Sequence, residues 1–405
     1  MGRNINGKDK NILLSKSCIK EKILNVNDYE WAIGYHRKVL KLSGLWLSSE
    51  SCKWYIKLLT DLQSIFIAIC VITFHSTPQL MALIKIWGNL TLIVDNFLSL
   101  VPLIITQIKL MVLWTNRKAV AKIFDAIKSD WLELKTNFER QIMIKYARIS
   151  KIMLICGLIN IAYINNVTDI EECLIATQSA LPFDVTIGCR CWIIRILYVV
   201  LCLLTGIVYT GIDMFFGMSV LHYCGQLEIL AEKIKFIVNS GKSLTFEKLL
   251  KTAILRHYRL ISLIEEIRNI FSAVLLLLVL CFVILFSVIG FLIVNSFGSN
   301  GTKVPVIQMN FYVGYISFYV GIMFLYSWVG ENLVTKSEGI YLAVYSCNWT
   351  DLEPHQIAQL IIVLVRAQRP LEMTIGKFAP VSLNTFTQLL KTSMGYISVL
   401  LAKND

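Results

Sequence analysis

Charged side chains are scarce in this chain. Asp, Glu, Lys and Arg make up 16% of its 405 residues, whereas 56% are apolar, and the mean hydropathy is +0.63. This composition excludes an ordinary soluble fold. Alternating strands of about ten residues, which would indicate a membrane barrel, are also absent. The sequence therefore predicts an all-α membrane protein, because backbone amides in lipid must be paired within helices.

Enzyme and metal-binding motifs are lacking. The sequence has no GxGxxG, HExxH, GxSxG or paired CxxC, and Ser240-Gly-Lys-Ser lacks the upstream glycine of a phosphate-binding loop. The five histidines do not have the spacing of metal ligands, and Cys189-Arg-Cys191 has no partners for zinc. We therefore expect a protein that is not an enzyme and that binds no metal or cofactor.

Seven apolar stretches are present instead. The Asn269 to Asn295 stretch carries no charge and is long enough to cross a hydrocarbon core of about 30 Å. The third stretch is short and the seventh contains several polar side chains, so a hydropathy window alone can miss them. No cleavable signal peptide is expected, because the first stretch begins only near residue 56. The predicted transmembrane spans cover about 56–77, 89–113, 150–166, 192–216, 269–295, 308–330 and 381–402.

Lys and Arg in the connecting segments predict the orientation. Segments 1–55, 115–151, 216–269 and 333–379 contain 31 of them, whereas segments 78–88, 164–191 and 296–307 contain three. Basic loops stay in the cytosol. The N-terminal segment 1–55 is therefore predicted to be cytosolic and the C-terminus extracellular. The net charge of +12 follows from this asymmetry and suits anionic inner-leaflet lipid, so nucleic acid is not expected as a partner.

Modification signals partly agree with this orientation. Glycosylation sequons begin at Asn89, Asn166 and Asn300 on the predicted outer side, of which Asn166 and Asn300 are the candidate sites, and Asn348 begins one on the inner side. In the second outer loop, a disulfide from Cys173 to Cys189 or Cys191 competes with the interpretation that these cysteines are free thiols.

Six charged residues within the predicted spans are candidates for a functional role, because a charge there is costly. Lys109 and Arg195 are interpreted as reaching the two membrane interfaces, and Asp61 and Asp213 as pairing near helix ends. Asp95 and Lys391 lie deeper and require another explanation.

Two faces of the spans are candidate functional surfaces. In the seventh span, Gln388, Thr392, Tyr396 and Val399 recur at helical spacing. They could line a water-filled conduit with Val399 as a gate, or the helix could pack on its neighbours through small residues. In the outer halves of spans two and six, an aromatic and amide face suits a small, weakly polar ligand, although packing alone is the alternative. It comprises Asn96, Phe97, Val101, Tyr312, Tyr315 and Tyr319.

A series of motifs carries a family resemblance. Near the C-terminus these are Trp328-Val-Gly-Glu331, Ser337-Glu338, Ala343-Val-Tyr345, Trp349, Arg366-Ala-Gln368-Arg369-Pro370-Leu371, Phe378-Ala-Pro380-Val-Ser-Leu383, Phe386, Leu390-Lys391-Thr392-Ser393 and Tyr396. Upstream they are Gly44-Leu-Trp46, Asn116-Arg117-Lys118, Leu181-Pro-Phe-Asp184, Asp213, Gln226-Leu227 and Leu230. Together they cover nearly the whole chain, which resembles the insect odorant receptors.

This resemblance implies an inverted seven-helix subunit of a tetrameric, odorant-gated, non-selective cation channel in the plasma membrane of sensory-neuron dendrites. Span seven would line the pore, with Tyr396 and Val399 near the gate. Segments 217–268 and 335–377 would form cytosolic anchor helices between subunits. A small volatile odorant would bind among spans two, three, four and six. The further pocket candidates are Gly157, Asn160, Ile161 and Tyr198.

Differences from the sequence patterns of related proteins narrow the predicted function. The segment between spans four and five is shorter than in the family's co-receptor, so the chain resembles a ligand-tuning subunit that assembles with co-receptor subunits. The gustatory receptors are the alternative within the superfamily, but their span-seven motif is missing. A G-protein-coupled receptor would have an extracellular N-terminus, and no Asn-Pro dipeptide is present. A transporter would show two related halves, and no internal repeat is evident.

Overall fold

The structure is a computed structural model that describes residues 26–45, 54–88, 90–133, 135–167, 189–239, 246–297, 306–349 and 352–404. Apart from one short hairpin, the regular structure of these residues is helical. The prediction of an all-α membrane protein is therefore confirmed.

The N-terminal half begins with a helix, α1 (26–42), that the sequence analysis did not predict. The first predicted span consists of α2 (Trp54–Val71), a π-helical turn at Ile72–Ser76 and α3 (Thr77–Lys85). The second lies in α4 (Leu90–Thr115), which contains Pro102. After α5 (Arg117–Leu132), the third lies at the end of α6 (Asn137–Val167).

The C-terminal half contains the longest helices. The fourth predicted span is the first half of α7 (Cys189–Asn239), and the fifth is the second half of α8 (Phe246–Phe297). The sixth begins α9 (Val306–Tyr345). At 51 and 52 residues, α7 and α8 are far longer than a bilayer requires, so each continues beyond the membrane.

The segment after α9 leads to the last helix. It comprises α10 (Pro354–Ala367) and an antiparallel hairpin of β1 (Thr374–Ile375) and β2 (Ala379–Pro380), and α11 (Leu383–Asn404) follows. A capping box begins α10, because the Glu353 carboxylate and the Gln356 side chain each bond the other residue's backbone N–H.

Hydropathy alone identifies five of the described helices as able to cross a membrane. The helices of the third and seventh predicted spans, α6 and α11, are not among these five. These are the two spans that the sequence marked as weak. Hydropathy does not identify α6 and α11 as transmembrane helices, so that assignment depends on their packing. In the main core, α6 packs against α7, and α11 packs against α8 and α9.

Candidate functional site

A polar cluster joins α4 to α9 in the predicted outer half. The Tyr312 hydroxyl donates to one oxygen of Asp95 at 2.6 Å, and the Gln308 amide donates to the other at 2.7 Å. Gln308 also donates to the Tyr312 hydroxyl at 2.8 Å. Around them, apolar side chains of α4 and α8, including Leu98, pack into a separate small core. This cluster accounts for Asp95, because each of its carboxyl oxygens accepts a hydrogen bond from a neutral donor.

Aromatic rings continue from this cluster along α9. Tyr315 and Tyr319 stack with ring centroids 4.7 Å apart, and the Tyr315 hydroxyl donates to the Leu98 carbonyl at 3.0 Å. Val101 of α4 is half-buried and packs against both cores. The structure therefore brings Val101 of span two to the same small core as Tyr312 and Tyr315 of span six.

The other candidate ligand residues are placed differently. Asn96 is buried and donates to the Gln79 carbonyl at 3.2 Å, whereas Phe97 is exposed. Gly157 lies where α6 meets α7, and a Cβ there would be 2.5 Å from a Thr210 methyl carbon. The side chains of Asn160, Ile161 and Tyr198, together with the candidate modification sites Asn166, Asn300, Cys173 and Cys189, lie outside the described residues.

A buried ion pair lies deeper in the bundle. Lys109 Nζ of α4 is 2.5 Å from Asp213 Oδ1 of α7, and the two side chains are 0% and 2% exposed. The Tyr326 hydroxyl of α9 donates to the same oxygen at 2.5 Å, and Lys109 Nζ is 3.5 Å from the Tyr209 ring centroid. The interpretation that Lys109 reaches a membrane interface is therefore wrong. Its partner is supplied by a residue 104 positions away, which hydropathy cannot show.

Ion pairs on the predicted cytosolic side join the helices there. Asp61 pairs with Arg117, as expected for a charge near a helix end. Asp130 forms an ion pair with Arg259, with 3.0 Å between nitrogen and oxygen, and lies 3.1 Å from His222. Burial opposes the ionisation of Asp130, but the hydrogen bond with His222 and the positive charges of Arg259 and Arg256 outweigh burial, so the pKa of this carboxyl is lowered.

The seventh span has two different sides. Ser393 and Ile397 are buried against α8, where the Ser287 hydroxyl donates to the Ser393 carbonyl at 3.4 Å. An added Cβ at Gly290 would be 2.3 Å from the Ile397 side chain, so this contact is close. The opposite side is exposed in the single chain. It carries the candidate pore residues Gln388, Thr392, Tyr396 and Val399.

The predicted anchor segments present apolar side chains at their surface. On α10, Ile361, Ile362 and Val365 are 47%, 70% and 59% exposed, and Tyr258 on α8 is 72% exposed. The first part of α8 belongs to the predicted anchor segment 217–268, and α10 belongs to the predicted anchor segment 335–377. Such clustered apolar exposure is typical of a surface that another chain covers.

Sequence reasoning missed several residues of these clusters. Gln308 and Tyr209 received no role, although both lie at helical spacing from assigned residues, Gln308 four before Tyr312 and Tyr209 four before Asp213. That spacing was the available signal. Helical spacing does not show which neighbouring helix these side chains contact, and in both cases that helix is α4.

Together, the long apolar helices and their buried polar contacts define a multi-helix membrane protein. A family model described as "7tm Odorant receptor" matches residues 89–394, about three quarters of the chain. The chain belongs to the insect odorant receptor family, and it is a receptor rather than an enzyme.

Individual relatives agree with this membership. Odorant receptor Or2 of Anopheles gambiae is 23% identical over 80% of this chain and 87% of its own length. The odorant receptor coreceptor of Harpegnathos saltator is 27% identical over 36% of this chain and 29% of its own length. The chain therefore aligns with an odorant receptor over most of its length and with a coreceptor over about a third of it.

A solved structure has the same fold. The olfactory receptor OR5 of Machilis hrabei, in complex with eugenol, superposes with a TM-score of 0.78. The match covers 93% of this chain and 99% of that one at 14% identity. At this identity the likeness shows the fold alone.

Proposed function

We propose that this chain is the odorant-binding subunit of a ligand-gated, non-selective cation channel that it forms with co-receptor subunits, as a heterotetramer. The observation that carries the proposal is the uncovered polar side of α11. Gln388 and Thr392 are exposed, and Tyr396 and Val399 are 53% and 66% exposed, while the opposite side is buried. An amide facing lipid is costly, so this side suits water in a pore.

The proposed assembly is supported by exposed surfaces on two other helices. The exposed apolar residues of α8 and α10 support an inter-subunit anchor within 217–268 and 335–377. The basic segments support a cytosolic N-terminus and an extracellular C-terminus. The family membership supports a site in the plasma membrane of sensory-neuron dendrites, with co-receptor subunits as partners.

The odorant site lies in the outer half of the bundle. Tyr315 and Tyr319 provide an aromatic wall, and Val101 provides apolar surface from α4. Phe97 lies one turn before Val101 on α4 and is exposed, so it borders this site from outside the core. The Tyr312 hydroxyl is engaged by Asp95, so Tyr312 shapes this site. The Asn96 amide N–H is engaged by the Gln79 carbonyl, whereas among the described residues no donor bonds the buried Asn96 Oδ1. A small volatile compound of weak polarity fits such a lining.

The decisive experiment is current recording from cells that express the chain with and without an insect co-receptor. We expect odorant-evoked cation current only with both, and antibody access to an N-terminal tag only after permeabilisation. Current that is abolished by G-protein inhibition, or an N-terminal tag accessible from outside, would contradict the channel assignment.

The pore assignment has a matched control. Val399→Trp places a large ring on the polar side of α11, whereas Met394→Trp places one on another exposed part of the same helix. We expect Val399→Trp to reduce the current about tenfold or to alter ion selectivity, and Met394→Trp to preserve both. Equal currents and selectivity for wild type and Val399→Trp, at equal surface amounts, would refute the gate.

A further inference from the structure

The ion pair between Lys109 and Asp213 requires an explanation other than stability. A buried pair of charges generally contributes little net stability, because desolvation cancels much of the attraction. Ionisable residues inside a membrane bundle are costly and commonly functional. Both side chains are fully enclosed, so neither charge is relieved by water at an interface.

Three helices meet at one carboxylate oxygen. Lys109 of α4 and Tyr326 of α9 both donate to Asp213 Oδ1, each at 2.5 Å. Among the described residues, no donor bonds Asp213 Oδ2. A carboxylate with both donors on one oxygen and a free second oxygen can exchange donors if α4 or α9 shifts. The cluster can therefore exist in more than one arrangement.

The cluster is joined to the candidate odorant site. Lys109 Nζ lies 3.5 Å from the centroid of the Tyr209 ring, and Tyr209 and Tyr319 are both buried in the main core. Tyr319 stacks on Tyr315, the aromatic wall of that site. A ligand that displaces this stack would therefore move a ring that touches the ammonium group.

On its other side, the cluster is joined to the helix that we assign to the pore. Gly330 lies one turn after Tyr326 on α9, and an added Cβ there would be 2.1 Å from the carbonyl oxygen of Val381, just before α11. The next residue, Glu331, accepts the N–H of Leu383 at the start of α11 at 3.3 Å. A shift of α9 at Tyr326 is therefore carried directly to the base of α11.

We propose that the cluster of Lys109, Asp213 and Tyr326 is a coupling element, which sets how strongly odorant binding favours the open channel. This inference rests on the proposed channel function. Lys109, Asp213 and Tyr326 are positioning residues that contact neither the odorant nor the permeating ion. Their substitution changes the odorant concentration for half-maximal current without changing ion selectivity.

The test uses the full chain with its co-receptor, with eugenol and a panel of short alcohols, esters and ketones as probes. Tyr326→Phe removes one donor to a charged acceptor and keeps the ring. A bond of this kind corresponds to about a tenfold change in an equilibrium constant. We expect a shift of about tenfold in the half-maximal concentration, or an equivalent change in basal current. Tyr35→Phe, at an exposed tyrosine of α1, should leave both unchanged.

A second variant separates coupling from folding. Lys109→Met with Asp213→Leu removes both charges together, and such replacements commonly preserve stability. We expect normal surface amounts, a shifted half-maximal concentration and no further effect of Tyr326→Phe in this background, because its acceptor is gone.

The outcomes are distinct. If wild type at the surface gives no odorant current with the co-receptor, the proposed function fails and this inference falls with it. If wild type conducts but Tyr326→Phe and the double variant respond within twofold of it at equal surface amounts, the coupling role is refuted and the proposed function stands. If the double variant does not reach the surface, Tyr326→Phe alone decides.

Discussion

The contact between α9 and the segment that leads into α11 predicts a specific sensitivity to one methyl group. At Gly330 an added Cβ would be 2.1 Å from the carbonyl oxygen of Val381, whereas real Cβ atoms essentially never come closer than 3.0 Å to another heavy atom. Gly330→Ala therefore forces a backbone to move by about 1 Å. Neither partner is the flexible end of a side chain, so this movement separates α9 from the start of α11.

The magnitude follows from two opposing effects. Overpacking of this kind costs about 1–3 kcal/mol. Replacing glycine by alanine inside a helix contributes up to about 1 kcal/mol of stabilisation. Gly321→Ala on the same helix is the control, because nothing lies within 4 Å of its Cβ position. The stabilisation from replacing glycine by alanine is common to both variants. The difference between their free energies of unfolding therefore gives the cost of the clash, about 1–3 kcal/mol.

The assay is thermal unfolding of the detergent-purified protein, followed by size-exclusion chromatography. We expect Gly330→Ala to melt about 1–4 °C below Gly321→Ala, since an unfolding entropy of about 2.1 cal/mol/K per residue makes 1 kcal/mol correspond to about 1 °C in a chain of 405 residues. Gly321→Ala should melt at or slightly above wild type. The reasoning would be refuted if Gly330→Ala melted at the same temperature as Gly321→Ala or higher.

Three further predictions concern the helices of the proposed cytosolic side. Burial lowers the pKa of His257 to about 4, so the folded state favours the neutral ring. Stability should fall by up to about 3 kcal/mol as the pH drops from about 6.5 towards 4, and His257→Gln should flatten this dependence in pH-resolved melts. Gln356→Ala removes half of the capping box with Glu353 and should cost about 1 kcal/mol by thermal unfolding, with Gln356→Glu retaining most of it. Ser337→Ala leaves the buried N–H of Leu371 without its acceptor and should cost about 1–3 kcal/mol in the same assay.

The helices themselves could be predicted from composition and length, but their partners could not. The positions of the apolar stretches identify where helices lie, because lipid permits few other structures. Lys109 shows the limit of prediction from sequence. Its sequence neighbours are compatible both with a side chain that reaches the membrane interface and with one that is buried in an ion pair. The Asp213 carboxylate that pairs with it comes from another helix. Tertiary pairing is decided by packing, which the sequence does not display.

Some features had a usable signal that was not read. Helix α1 buries Tyr29, Ala32, Ile33, His36 and Leu40, which recur at three- and four-residue steps. The low overall hydropathy of the first 55 residues concealed this pattern. The π-helical turn at Ile72–Ser76 had no comparable signal, because a single extra residue in a helical turn leaves the apolar composition unchanged.

The weak hydropathy of α11 is informative about assembly. Its buried side is narrow and uses Ser393 and Ile397, while Gln388 and Thr392 are exposed in the single chain. The Thr392 hydroxyl is satisfied within the helix, by the Gln388 carbonyl at 2.9 Å. For the Gln388 amide, lipid supplies no hydrogen-bond partner. Since hydrocarbon cannot stabilise this side, we expect water or another subunit to cover it, in agreement with the proposed channel. The property that hides this helix from a hydropathy search is thus the one expected of a helix at the centre of an assembly.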